Sequence, residues 1–435
     1  MTCESCAKKD RDISELKERI ERLERLLVLY ESPHIPSSKR IIREVKDVEP
    51  KELAKRGAPE GHVGATRQKP SPNRVIDLKP KTCPCCGRKN IAIIGKHTKT
   101  IEDIIIVRLA TKFSFYDCLC KSCNGMFTTS DPELPSEGVF GPNISSLWSM
   151  MHYYGAVPFD RLAQMTENCF GIGITPAGLH NAIYRNSAVF QPYFDGIMKR
   201  VSKSKYARSD ETSYPFNGQN QWLWNISTEK DTLVLLRKNR NAKVLNEVFG
   251  EFFDGVLNSD CFRAYDRFKA REYQKCWAHV LGDAEDLAKN SKEGIELYGK
   301  LSGMYSYVRK AKENHAEDSP KVRAWVRKSR REIESWLDRN YESKAVKNLA
   351  LRMSKYSEHW FTCLKYGFVE PTNNASERDI RKNVIARKIS GQHRSIQGQH
   401  AREVMMSTIL TNRKNDINPF QFVLEVIQKH NLGPN

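Results

Sequence analysis

The chain has 435 residues, 39% of them hydrophobic, enough to bury a sizeable core and to divide into two to four units. Lys and Arg number 71 against 52 Asp and Glu, a formal charge of +19 that favours a polyanionic partner, because each neutralised phosphate releases condensed counterions. No apolar run of about eighteen residues and no hydrophobic signal core after "MTCESCAKKDRD" is present, which excludes a membrane-spanning reading and predicts a soluble, intracellular protein. A merely soluble basic protein is the blander alternative. Twelve cysteines in a reducing compartment point to metal ligation or core thiols rather than disulfides.

In chain order, the first predicted element is a helix over residues 13–30. Ile13, Leu16, Ile20, Leu23, Leu27 and Tyr30 recur at alternating spacings of three and four, with Glu, Lys and Arg on the other faces. Such a seam predicts an oligomerisation helix within residues 1–31. Cys3 and Cys6 form a lone C-x-x-C beside it. Residues 32–80 mix Pro, Gly and basic residues with little apolar periodicity, the composition of a flexible basic linker that contacts phosphate or serves as a tether.

The strongest local motif lies in residues 81–130. Cys83-x-x-Cys86 and Cys120-x-x-Cys123 are separated by thirty-three residues that contain β-rich runs with partial alternation. Two thiolate turns around one tetrahedral Zn²⁺, with strands between them, describe a zinc ribbon. Four thiolates leave no open position, so the zinc is structural; Cys85 and Cys118 fit the spacing less well.

Residues 136–200 read as helices. One runs from about Phe159 to Asn168 into a Gly-rich turn, and Thr175 then caps a second helix whose first residue is Pro176. That pair is similar to a helix-turn-helix, with Ala177, His180, Asn181 and Arg185 as candidate DNA contacts.

From residue 201 the pattern turns to strands. "KYARSD", "QWLWNIST" and "TLVLLRKN" precede the helical "AKVLNEVFGEF", and "GVLNSD" follows it. Three strands, a helix and a fourth strand open an RNase H-like fold, in which strands one and four are neighbours, and acids close both: Asp210 or Glu211, and Asp260. Strand parity lets only one of Asp210 and Glu211 face a shared ion, without saying which. Trp222 and Trp224 share a strand face and are expected in the core. A further strand leads into a helix by residue 282, and a polar α-helical region occupies 283–365. In 366–435, "VEPTNNASERDIRKNVIARKIS" makes a turn and enters a helix with Glu377 in its first turns, followed by Arg378, Arg381, Lys382, Arg387 and Lys388. By charge pattern alone Glu377 is an ordinary ion-pair partner for Arg381.

The chain resembles the DDE transposases of the insertion-sequence-66, TnpC-like, family. The matching stretches are "SDETSYPFNGQNQWLWNIST", "DGVLNSDCFRAYD", "KCWAHVLGDAEDL", "PTNNASERDIRKNVIARKIS" and "NDINPFQFVLEVI", in order, with "GAPEGHVGATRQKP", the paired knuckles, "FGPNISSLW" and "VPFDRLAQM" upstream. The resemblance implies a multidomain α+β architecture with an RNase H-like catalytic core and an α-helical insertion, and a DD(E) triad at Asp210, Asp260 and Glu377. It also implies that Cys276 and His279 form a C-x-x-H signature, here expected to pack or to support the site from behind. After "CWAHV" the family tends to carry a basic pair, whereas this chain reads "LGDAEDL".

Three carboxylates in one pocket call for Mg²⁺ or Mn²⁺, two per active site, since hard cations suit oxygen ligands. The expected partners are element ends and target DNA, a second copy of the chain and possible accessory proteins of the element, with no membrane; the expected place is the prokaryotic cytoplasm, at the nucleoid. Phosphate contacts fall to Arg378, Arg381, Lys382, Arg387 and Lys388. Two rivals remain: an RNase H-like nuclease or resolvase that cuts without joining, and a transposase-derived regulator that binds DNA without catalysis.

Overall fold

A computed structural model describes residue 20 and residues 70–129 and 138–431. The oligomerisation helix, apart from the helical Ile20, and most of the basic linker lie outside them. The chain divides into two units between Val107 and Arg108.

In the first unit, Cys83 opens a tight turn: its N–H donates to Arg88 O at 2.8 Å, and Gly87, at φ +71°, donates to Cys83 O at 2.8 Å. The second unit begins with the other knuckle. Strands β1 (Asp117–Leu119) and β2 (Met126–Thr128) pair antiparallel around it, and Asn124, at φ +55°, donates to Cys120 O at 2.8 Å. Residues 91–116 are in no strand, contrary to the β-rich expectation. Adjacent isoleucines such as Ile104 and Ile105 put apolar groups on both faces, and a strand of that kind needs cover on both sides; both side chains are exposed instead.

Helices α1 (Pro142–Ser149), α2 (Phe159–Phe170), α3 (Pro176–Val189) and α4 (Gln191–Ser202) precede the main sheet. Gly171 ends α2 in the left-handed region at φ +63°, and the Thr175 hydroxyl accepts the Gly178 N–H at 3.1 Å to cap α3, the local chemistry expected of the helix pair. Trp148 of α1, fully buried, ties this layer together by donating to Thr166 Oγ1 at 2.9 Å.

The main sheet contains β3 (Tyr206–Phe216), β4 (Gln219–Ser227), β5 (Thr232–Arg237), β6 (Phe252–Ser259) and β7 (Lys269–Lys275), in the order β5-β4-β3-β6-β7. Asn217 and Gly218 both have positive φ, which the two-residue β3–β4 hairpin turn requires. Helix α5 (Lys243–Phe249) makes the crossover that lets β6 lie parallel to β3, so the first and fourth strands of the series are neighbours. The single turn α6 (Arg263–Asp266) joins β6 to β7, and α7 (Trp277–Ala288) follows.

Three helices then form the insertion: α8 (Lys292–Glu313), α9 (Pro320–Ser335) and α10 (Lys344–Lys355). They share a second apolar core with α7 in which Trp277, Trp336 and Trp360 are buried. Asp283 of α7 pairs with Arg352 of α10, which ties α7 to the insertion.

The chain returns to the sheet through α11 (Asn374–Ser390), α12 (Ile396–Lys414) and α13 (Pro419–Asn431). Helix α12 seals the β5 edge. Glu403, Ser407 and Thr411, spaced four apart on one helix face, accept the N–H groups of Leu236, Val234 and Thr232 at 2.7, 2.9 and 3.0 Å. Side-chain acceptors thereby replace a missing strand, which removes an exposed edge and its pairing hazard. Among the described residues no helix is long and apolar enough to cross a membrane.

Candidate active site

The parallel ladder between β3 and β6 runs from Tyr206 opposite Val256 to Arg208 opposite Asn258. Asp210 and Asp260 each lie two residues beyond its last pair, so the ladder delivers both acids to the same level of the sheet. Asp210 is not at a strand end, as the sequence suggested: β3 continues to Phe216 because the hairpin with β4 carries it on. Alternation then separates the neighbouring acids. The Glu211 side chain is 1% exposed and binds the Tyr265 hydroxyl and, at 2.8 Å, Arg240 Nε. Arg240 is itself held between the rings of Phe262 and Trp222, at 3.7 and 4.4 Å. Trp224 is fully buried as expected, whereas the half-buried Trp222 carries this guanidinium.

Asp260 is fixed from two sides. Its Oδ1 accepts the Phe262 N–H at 2.9 Å, and its carbonyl accepts Lys275 Nζ at 2.8 Å. Lys275 is 1% exposed, lies 4.0 Å from Asp266 and faces the rings of Tyr356 and Tyr265. Burial lowers its ammonium pKa, against the raising influence of Cys261, Asp266 and Asp260. A buried lysine this close to Asp260 was not legible in the sequence; its only trace is its place at the end of β7, directly before Cys276.

Glu377 enters from α11, whose start is tied to the sheet by buried amides. Asn373 Nδ2 donates to Ser209 O at 2.9 Å, and Asn225 Nδ2 to Ser376 Oγ at 2.7 Å. Asn258 Nδ2 donates to Glu370 O and Thr372 O at 2.9 and 3.2 Å, and the Trp277 N–H to Pro371 O at 3.1 Å. Glu377 Oε1 lies 3.8 Å from His279 Nδ1, a partner in tertiary structure rather than the Arg381 suggested by helical spacing. The Cys276, His279 and Glu377 ligand atoms lie within 4.8 Å of one another.

Burial first, then the charges of Glu211, Asp260 and Glu377, push the Asp210 carboxyl up to about 7, with His279 opposing. Hydrogen bonding to Cys276 pushes the His279 imidazole up to about 9, against burial and with help from Glu377 and Asp260. The charges of Asp260 and Glu377 thus both act on Asp210, a repulsion that a divalent cation would relieve. For Asp210 the sign follows from a folded value above its ordinary 3.8. The folded state holds this proton more tightly, so the contribution to stability is present at low pH and is lost as pH rises through about 7. Mg²⁺ is accordingly expected to raise the melting temperature of the metal-depleted protein more at about pH 8 than at about pH 5. Equal shifts in a thermal scan at the two pH values would contradict it.

The basic residues of α11 divide. Arg378, Arg381, Lys382 and Lys388 are exposed, and Lys382 also faces the Tyr154 ring at 5.2 Å. Arg387 instead reaches back to β3, where its Nη1 donates to Ser213 O and, at 3.3 Å, to Thr212 Oγ1. On α3, Ala177, Asn181 and Arg185 are exposed, whereas His180 packs against Phe159, ring centres 5.5 Å apart.

A family model described as the transposase IS66 family matches residues 137–401, more than half of the chain, and spans the sheet, the insertion and all three acids. The chain belongs to the IS66 transposase family. An uncharacterized protein, y4hP, of Sinorhizobium fredii (strain NBRC 101917 / NGR234) is 22% identical over 402 residues, covering 82% of this chain and 72% of the relative. The tied start of α11, the Cys276-x-x-His279 turn and buried Lys275 all lie within the matched residues.

Proposed function

We propose that this IS66-family transposase cleaves DNA strands at the ends of its element and joins them to target DNA, using Asp210, Asp260 and Glu377 on an RNase H-like core. The observation that carries the proposal is the β3–β6 register, which puts Asp210 and Asp260 each two residues past its last pair; the amide ties of β3 and β4 to the start of α11, the helix that bears Glu377, support it. A sheet ordered 3-2-1-4-5, with only the second strand antiparallel to both neighbours, supports the core assignment.

Oxygen donors alone and an acid held near neutrality by burial fit a hard dication, so Asp210, Asp260 and Glu377 would hold Mg²⁺ or Mn²⁺. Such ions, when bound, offset charge on the attacking and leaving oxygens of an in-line displacement. The Lys275 and Phe262 contacts keep Asp260 from turning away, and the Glu211–Tyr265–Arg240 network keeps the second acid of the pair out of the site. In the first step water attacks the phosphorus, the P–O3′ bond breaks and a 3′-hydroxyl is released. In the second, that hydroxyl attacks a target phosphodiester and displaces its 3′-oxygen. Arg378, Arg381, Lys382 and Lys388 would position the backbone phosphates, and the exposed face of α3 would contact the element end. Two ends must be brought together, which the 13–30 seam would serve by self-association.

Purified protein with Mg²⁺ and DNA flanking its own gene is expected to release a 3′-hydroxyl at the element boundary. Uncut ends over a range of Mg²⁺ and Mn²⁺ concentrations would contradict the proposal.

For the zinc ribbon, backbone N–H groups of Cys85 and Cys86 lower the Cys83 thiol, and those of Cys123 and Ser122 lower Cys120, the hydrogen-bonding typical of thiolate knuckles. Metal analysis of a Cys83→Ser, Cys120→Ser double variant should show one zinc fewer per chain than the parent; the same zinc content would remove the ribbon.

A further inference from the structure

In the proposed triad Glu377 joins Asp210 and Asp260, yet its ligand oxygen lies with Cys276 and His279, whose ligand chemistry differs from that of two aspartates. We infer that Cys276, His279 and Glu377 form a second, soft-metal site that takes Zn²⁺, and that its loading draws Glu377 away from Asp210 and Asp260 and so arrests the reaction. The inhibitory half of this inference rests on the proposed function; the metal site itself does not.

Three features build the site. Cys276 is the N-cap residue of α7 and His279 lies in its first turn, so the three-residue spacing puts both on one side of the helix start. Glu377 lies in the first turn of α11, and the two helix starts are clamped: Asn373 N–H donates to Cys276 Sγ at 3.1 Å, and Trp277 N–H to Pro371 O at 3.1 Å. An N–H donor to the sulfur is the usual outer partner of a metal-bound thiolate. The third feature is distance. The three ligand atoms lie within 4.8 Å of one another, while tetrahedral zinc needs roughly 3.5 Å between ligands. His279, with its side chain 45% exposed, and Glu377, at 38%, are free to close that difference by rotation, whereas buried Cys276 stays in place.

The donor set selects the ion. One thiolate, one imidazole and one carboxylate favour Zn²⁺ over Mg²⁺, which prefers oxygen alone. Three protein ligands leave a fourth position for water. Glu377 would thus serve both kinds of cation, and zinc held by two further ligands competes for it.

The test uses reduced, full-length protein equilibrated with Zn²⁺ and then freed of unbound metal. The parent is expected to retain one zinc more per chain than either Cys276→Ala or His279→Ala, and Co²⁺ is expected to give a thiolate charge-transfer band that Cys276→Ala diminishes. Equal zinc content in all three proteins would overturn the site. Should Cys276→Ala fail to fold, as judged by circular dichroism, the surface-accessible His279→Ala decides by itself. For the regulatory half, micromolar Zn²⁺ added to a Mg²⁺-supported cleavage reaction is expected to inhibit the parent, and His279→Ala to need at least ten times more zinc for half-inhibition. The same half-inhibitory concentration in both would overturn the coupling. Complete absence of cleavage in the parent would count against the proposed function and the arrest alike, while the zinc content still decides the site.

Discussion

Asp260→Asn is expected to lower strand cleavage on the order of 10³-fold, roughly 4 kcal/mol of transition-state stabilisation, while binding of element ends stays within about twofold. The substitution keeps the shape and the Phe262 N–H contact to the side chain, and the Lys275 contact is to the backbone carbonyl, so the turn after β6 should survive. What is removed is the negative charge at the one position that parallel register sets level with Asp210. Gel-shift and cleavage assays on the same preparation separate the two effects. Cleavage at the parental rate would remove Asp260 from the reaction.

The second large effect concerns stability. Trp277 is fully buried, donates its indole N–H to Trp360 O at 2.7 Å and packs near Tyr305, Trp360 and Phe361. Its backbone N–H meanwhile holds Pro371 at the start of the segment that delivers Glu377. Trp277→Ala is expected to cost about 3–5 kcal/mol through cavity formation. Trp277→Phe retains most of the volume and removes one of two donors to the Trp360 carbonyl, which keeps Gln274 Nε2 at 3.1 Å, a loss of about 0.5–1.5 kcal/mol. Chemical denaturation of the two variants should rank them in that order. A Trp277→Ala midpoint equal to that of the parent would show that the insertion core does not support the catalytic segment.

Much of the core was legible because its local signals agree with its global role. Three strands, a helix in the crossover and an acid after the fourth strand are all local patterns and appear in the structure in order, although β3 runs past Asp210 to Phe216. The neighbourhood of strands one and four followed from that order of elements and is seen in the β3–β6 pairing. Glu377 was less accessible, since helical spacing pairs it with Arg381 and its actual neighbour, His279, lies on another helix. Only the resemblance singled it out.

The supports of the site were not legible at all. Asn258, Asn373 and Asn225 are buried polar residues that each reach a partner more than a hundred residues away in sequence, so no local pattern announces them. Lys275 reads as an ordinary basic residue until the sheet buries it against the Asp260 carbonyl. Arg387 shows the converse: in sequence it is one more cation of a basic helix, yet β3 carbonyl and hydroxyl oxygens engage it. Between the knuckles the expectation of strands failed because β propensity alone does not supply a partner, and residues 91–116 form no strand.

Strand transfer from a pre-cut end is the most direct measurement. A duplex ending in the element terminus with a free 3′-hydroxyl, incubated with the full-length protein, Mg²⁺ and supercoiled target DNA, is predicted to give covalently joined product that Asp210→Asn, Asp260→Asn and Glu377→Gln each abolish. Cleavage of uncut ends with no joined product from the pre-cut end, or joining that persists in those variants, would contradict a DDE transposase mechanism.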